Sequence, residues 1–141
     1  MPCIVVGAVS GFAPSGMNKS GSATLSNSYA QVNGWVADTT NYPGSTVSSN
    51  ALLAQGSKGN ATVTATCPWT SSLSCTVTLR LFKNGVQIVQ GSGSSGTSGT
   101  AIATATGVTV APGDTITLQA VSTQGSFTSI SAGAGTFVRI T

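Results

Sequence analysis

The chain contains no histidine and no glutamate, and only two aspartates, Asp38 and Asp114. Histidine is the commonest general acid–base residue, and without it neither a Ser-His-Asp nor a Cys-His site can be assembled. A glycosidase pair would need Asp38 and Asp114 to meet across a substrate. Each instead sits where Asp serves a turn: Asp114 follows Pro112-Gly113, and Asp38 precedes Thr39-Thr40. A zinc site would have to draw on three cysteines and those two carboxylates without any imidazole. The expectation is a protein that is not an enzyme, with no metal and no cofactor.

Charge of either sign is scarce. Charged residues make up 5% of the chain, against about 25% in an ordinary globular protein. The net charge of +3 comes from Lys19, Lys58, Arg80, Lys83 and Arg139, which form no run. Nucleic-acid binding rests on clustered Lys and Arg neutralising phosphates, so no nucleic-acid partner is expected. No apolar run reaches the ~18 residues of a membrane-spanning helix. The stretch CIVVGAV is too short, and no basic segment precedes it, so neither membrane insertion nor a secretory signal is expected. Three cysteines do not make a disulfide framework.

What the chain does have is 42 Ser and Thr residues beside a 40% apolar content. Its solvated faces are kept polar by hydroxyls and amides, and its β-branched runs are long enough to form a core. The organising stretch is CTVTLRLFKNGVQIVQ, residues 75–90. Asn84-Gly85 supplies the two positive-φ residues of a type I′ hairpin turn. Pairing outward from it sets Leu81 against Ile88 and Arg80 against Val89. Val77, Leu79 and Leu81 share an inward face, with Thr76, Thr78 and Arg80 opposite. Ala111-Pro112-Gly113-Asp114 reads as a type II turn. It leads into a strand with Ile116, Leu118 and Ala120 on one face.

Elsewhere, YAQVNGWVA (29–37) reads as one core strand interrupted at Gly34, and Asp38 to Asn50 as a loop with its turn at 42–45. Ala51 to Ala54 starts another strand, followed by a turn at 56–60. In NATVTATC, Ala61, Val63, Ala65 and Cys67 alternate inward against Thr62, Thr64 and Thr66. GSGSSGTSGT (91–100) reads as a flexible loop, AIATATGVTV as a strand, and residues 122–135 as a loop with a short apolar segment at Phe127 and Ile130. GTFVRIT is the closing strand, with Val138 and Ile140 on one face. Strands recur with turns every 8–12 residues and no helical period survives. The fold class is all-β: a single-domain, jelly-roll-like sandwich of 8–10 short antiparallel strands. Residues 1–22 read as an N-terminal strand or arm plus linker, and 23–141 as the sandwich.

Candidate functional residues follow from these faces. Ile4, Val5 and Val6 form an apolar tetrapeptide with Cys3 that needs somewhere to bury, either as an edge strand or against a neighbouring subunit. Phe82 and Val89 fall on the hydroxyl-bearing face, where a monomer would show water only polar groups, so both are candidate assembly contacts. Trp69, Tyr42 and Trp35 are the candidate ligand-stacking rings, Trp69 as the exposed one and Trp35 more readily a core anchor. Cys67 and Cys75 bracket PWTSSLS. If their strands pair as a hairpin, the thiols could bridge; otherwise they pack as free, buried cysteines.

Three stretches carry a resemblance. Lys83-Asn84-Gly85, Val108 to Leu118 and Gly133 to Ile140 resemble the C-terminal half of jelly-roll domains of the C1q/tumour-necrosis-factor type. Gly34-Trp35, Tyr42-Pro43-Gly44-Ser45 and Ala51-Leu52 look like the small virion proteins of tailed phages of actinobacteria, of the minor-tail or head-decoration kind. The similarity spans about residues 20–141 and leaves out CIVVGAV. It implies a homotrimer whose last strand lies in an inner sheet at the three-fold axis, a place in the virion after synthesis in the host bacterial cytoplasm, and no catalysis. The functional expectation is a non-enzymatic structural subunit on the particle surface, partnered by other virion proteins of capsid or tail. The alternative is a module binding a host-surface glycan.

Overall fold

The structure, a computed structural model, describes residues 11–141. Twelve strands run through the described residues: β1 (Ser15–Lys19), β2 (Ala23–Thr24), β3 (Ala30–Gln31), β4 (Trp35–Ala37), β5 (Val47–Ser48), β6 (Ala51–Leu53), β7 (Lys58–Lys83), β8 (Val86–Gln90), β9 (Ser94–Val110), β10 (Thr115–Ser122), β11 (Thr128–Ile130) and β12 (Gly133–Ile140). Every ladder between them is antiparallel. Among the described residues no helix is long and apolar enough to cross a membrane.

β7 belongs to both layers of the sandwich. Its first half lies between β12 and β9, with Val63 opposite Ile140 and Ala105. Its second half lies between β10 and β8, with Leu81 opposite Leu118 and Val89. The bend falls between Thr70 and Cys75, where the partners on β9 move only from Ser98 to Gly96. The extra residues bulge out and re-aim the strand. One layer therefore reads β4-β1-β12-β7-β9 and the other β5-β6-β10-β7-β8, continuous through β7. Alternation decides what lies between them. Ala61, Val63, Ala65, Cys67 and Trp69, then Val77, Leu79 and Leu81, all point inward from β7. They meet Met17, Leu52, Ile116, Leu118, Ile130, Val138 and Ile140 in one core. Each fully buried aliphatic side chain adds about 1.5–3 kcal/mol.

The two turns form as expected. Asn84 and Gly85 have φ of 50° and 81°, and Lys83 pairs with Val86 across them. Gly113 has φ 83°, and Asp114 N–H donates to the Ala111 carbonyl at 3.1 Å.

Five expectations are corrected. The hairpin register slips at a bulge between Leu81 and Phe82, so Leu81 meets Val89 and Arg80 meets Gln90. Residues 29–37 are two strands: β3 joins β10 and β4 joins β1, with Gly34 (φ 86°) between them. Residues 61–81 form no hairpin, because β7 continues unbroken through PWTSSLS, bending there without reversing. Most of the Gly/Ser stretch is strand, the start of β9. Its small residues let β9 approach Trp69: a Cβ on Gly99 would lie 2.7 Å from Ser94 Oγ and 3.3 Å from the indole. Finally, Ser15 to Lys19, expected as arm or linker, is β1, bonded between β12 and β4 inside a sheet.

Candidate assembly interface

The outward face of the β4-β1-β12-β7-β9 layer is set by register. Directly paired residues share a face. Val36 pairs with Asn18, Asn18 with Phe137, Phe137 with Thr66, and Thr66 with Ile102. These five cross the whole sheet in one row. Val36 is 51% exposed and Ile102 49% exposed at its two ends. The next row on the same face runs Gly16, Arg139, Thr64, Thr104. Tyr42 lies over Gly16, so close that a Cβ there would strike the ring. Thr66, Thr64 and Thr104 complete these rows, in which Arg139 is the one charge.

The electrostatics of this face centre on Arg139. Its guanidinium carbon stands 3.6 Å from the Phe137 ring centre and 5.4 Å from that of Tyr42. Such stacking fixes a planar guanidinium in place. Its Nε is buried without a hydrogen-bond partner, and so is Oδ1 of Asn18 in the adjacent row. Asp38 is buried nearby and occupied. Its carboxylate accepts from Asn41 Nδ2 at 3.0 Å and from Asn41 N–H at 3.1 Å. Those bonds from Asn41, with smaller help from the Asn18 amide and Arg139, hold its carboxyl below the usual carboxylate range.

The opposite face of the sandwich is different in kind. Arg80 stacks on Tyr29 at 3.5 Å and donates through Nε to Gln90 Oε1 at 3.0 Å. Gln31 and Gln119 pair beside it. Phe82 lies half-buried on this layer between Thr117 and Gln87. Val89 is not with it: the bulge turns Val89 to the Leu81 side, where it packs against the core together with Ile88. The two residues expected on one face therefore lie on opposite sides of their sheet. Ile4, Val5 and Val6 lie outside the described residues.

The stacking candidates are corrected as well. Trp69 is 1% exposed, because the inward alternation of β7 continues past Pro68, and its Nε1 donates to Ser94 Oγ at 3.0 Å. Trp35 is buried, with Nε1 donating to the Val32 carbonyl at 2.8 Å. Tyr42 alone of the three stays partly accessible. Cys67 and Cys75 are free and buried. They sit eight positions apart on one strand, which at about 3.3 Å per residue exceeds the ~7 Å Cα limit of a disulfide. Burial pushes the Cys67 thiol up to about 12. Burial also raises Cys75, but hydrogen bonds from Ser122, Thr128 and Ser71 outweigh it and leave the thiol below its ordinary value.

No three of His, Cys, Asp and Glu come together among the described residues. Asp114 serves the turns: it accepts from Asn84 Nδ2 at 3.0 Å and from Ala111 N–H at 2.8 Å, which keeps its carboxyl low. A cleft of about 500 Å³ is lined by Leu25 to Asn27 and Thr123 to Ser126, with no charged group. Sequence reasoning missed Val36, Ile102, Phe137 and Arg139 as a group. The signal was present in the strand alternation, but the pairing of β1 with β12 that aligns them is not local.

No family model matches the sequence, and no curated protein matches it significantly. Solved structures do. The structure of Eiger TNF from S. frugiperda superposes with a TM-score of 0.68 at 14% identity, over 92% of this chain and 90% of that one. The chain folds as a tumour-necrosis-factor-type jelly roll. Murine APRIL aligns with a TM-score of 0.62 at 11% identity, over 92% of this chain and 98% of that one. The likeness is one of fold, and it bears out the jelly-roll expectation.

Proposed function

We propose that this chain is a non-enzymatic structural subunit displayed as a homotrimer on a tailed-phage particle, in its capsid or tail, after synthesis in the bacterial cytoplasm. The observation that carries the assembly reading is the row Val36, Asn18, Phe137, Thr66, Ile102, which spans an entire sheet face without a charge. Interface cores are depleted in charge, and this row leaves two large apolar side chains, Val36 and Ile102, about half exposed. The jelly-roll fold supports a role without catalysis, as does the engagement of both carboxylates in turns. The last strand, β12, lies in the layer that bears this face, as the resemblance implies for a strand at a three-fold axis.

Sedimentation of the wild type beside Val36→Asp and Ile102→Asp tests the assembly. A trimer is expected at micromolar concentration, with both variants shifted to monomer. A wild type that stays monomeric removes the reading. Counting copies of the protein in purified particles tests the virion assignment, and its absence from them refutes it. The second reading, binding of a neutral host glycan, draws on the uncharged cleft at 25–27 and 123–126, beside which Phe127 is 56% exposed. Sugars stack on such rings and bond to such amides, so soaking oligosaccharides into crystals separates the two readings.

A further inference from the structure

The outward face of the other layer carries a guanidinium set in a row of amides. Leu79 and Leu81 point into the core, so Arg80 between them points out. Arg80 pairs with Gln119 on one side and Gln90 on the other, and Gln119 pairs in turn with Gln31 of β3. Directly paired residues share a face, so Gln31, Gln119, Arg80 and Gln90 cross four strands in one row. At about 4.8 Å between strands the row is roughly 14 Å long. Its β3 end reaches a cleft of about 220 Å³ whose lining includes Gln31 and Asn33. The next row on the face holds Thr117, Phe82 and Gln87.

Arg80 is fixed in place by its own chain. Its guanidinium carbon lies 3.5 Å from the Tyr29 ring centre, and its Nε–H donates to Gln90 Oε1 at 3.0 Å. The stack covers one flat side, and the bond takes the Nε edge. The two Nη groups form the other edge of the fork, where a planar carboxylate docks with both oxygens. Neither aspartate answers them: Asp38 is held by Asn41, and Asp114 by Asn84 and Ala111. The chain has no glutamate. With its oxygen engaged by Arg80, the Gln90 amide is left to donate through its NH2 group. Gln31 and Gln90 are exposed, and Gln119 is half-buried. A clip between Arg80 and Tyr29 explains the stack, but it does not call for three amides in register beside it.

We propose that this row binds an acidic oligosaccharide of the uronic-acid class. The carboxylate of one sugar pairs with the Nη edge of Arg80. The ring hydroxyls of that sugar and its neighbours bond to the glutamine amides. An amide both donates and accepts, as a hydroxyl does, so a row of glutamines serves successive rings. Phe82, half-buried in the next row, offers an apolar surface to the C–H side of a ring. A peptide is the poorer fit, because an extended peptide adds its backbone to a sheet edge, whereas this row is made of side chains on a sheet face. The site is independent of the assembly face, which lies on the opposite layer, and it asks for a charged sugar rather than a neutral one.

The experiment is an NMR titration of the isotope-labelled full chain at low ionic strength. The probes are trigalacturonate, its uncharged galactose counterpart and a triglutamate peptide. Trigalacturonate is expected to shift the Arg80 Nε–H and the side-chain amides of Gln31, Gln119 and Gln90, and to bind roughly tenfold or more tightly than the uncharged sugar. Added salt should weaken it. Arg80→Gln should lower its affinity by roughly tenfold or more, and Arg80→Lys should also lower it, since an ammonium does not dock two oxygens in one plane. Absence of binding, equal binding of the uncharged sugar, or variants that bind as the wild type does would each overturn the proposal. Shifts confined to Thr123–Ser126 would overturn it in favour of the neutral-glycan cleft. Triglutamate binding as tightly as trigalacturonate would overturn the sugar assignment. If circular dichroism shows a variant to be unfolded, the wild-type shifts and their salt dependence decide.

Discussion

Replacing Trp69 by alanine probes the point where the structure departs furthest from a ligand-stacking role. The indole is 1% exposed, walled by β9 at Gly99 and by β11 at Ile130, and bonded to Ser94. Truncation leaves a cavity bounded by paired backbone on both sides, which cannot collapse into it. A buried Trp→Ala change costs about 3–5 kcal/mol, a large share of the roughly 5–15 kcal/mol of a typical domain. For a chain of this size each kcal/mol moves the melting temperature by about 3–5 °C, so Trp69→Ala should melt roughly 10–20 °C below the wild type. Trp69→Phe keeps most of the ring and loses the bond to Ser94, for about 1–2 kcal/mol. Thermal denaturation followed by circular dichroism, at one fixed protein concentration because assembly shifts the midpoint, reads both. A Trp69→Ala protein melting within about 3 °C of the wild type would refute the burial argument. Strong acrylamide quenching of the wild-type fluorescence would do the same, since both tryptophans are buried.

Three further outcomes are expected. Gly85→Val places a β-branched residue at φ 81° and should cost about 1 kcal/mol or more; an unchanged urea midpoint would contradict the turn geometry. In a Cys3→Ser background, a thiol reagent should modify Cys75 before Cys67, whose thiol burial pushes up to about 12; mass mapping that finds Cys67 labelled first would reverse the assignment. The carboxyls of Asp38 and Asp114 are both depressed in the fold, so the unfolded chain binds protons first as pH falls. Their contribution is complete above the unfolded value near 3.9 and drains away below it, leaving stability flat from about pH 5 to 8; denaturant midpoints that drift across that window would point to another titrating group.

The strands of the core were legible because alternation is local. Val77, Leu79 and Leu81, and then Ile116, Leu118 and Ala120, face inward as their spacing requires. Both turns were legible because Asn-Gly and Pro-Gly prescribe φ. The bulge at Ile88 was not, since no turn residue marks it, and a slip of one position reverses every face beyond it. That is why Val89 was misplaced. The Gly/Ser stretch misled for the opposite reason: its small residues answer to Trp69 on a neighbouring strand rather than to flexibility. The candidate site was hidden because it exists only after β1 pairs with β12, across more than a hundred residues of chain.

Every lysine and arginine of the chain lies in a strand: Lys19 in β1, Lys58, Arg80 and Lys83 in β7, and Arg139 in β12. A trypsin-like protease needs an extended, unpaired segment about its basic residue, and proteolytic nicking concentrates in exposed loop tips. This chain offers such an enzyme no basic residue in a loop. Three of the five targets are on the strand that both layers share, so freeing them opens the two layers together. Its digestion by a trypsin-like protease therefore follows the population of the opened state rather than the number of loops in reach. A protein so arranged persists among such proteases for as long as its sheets stay shut.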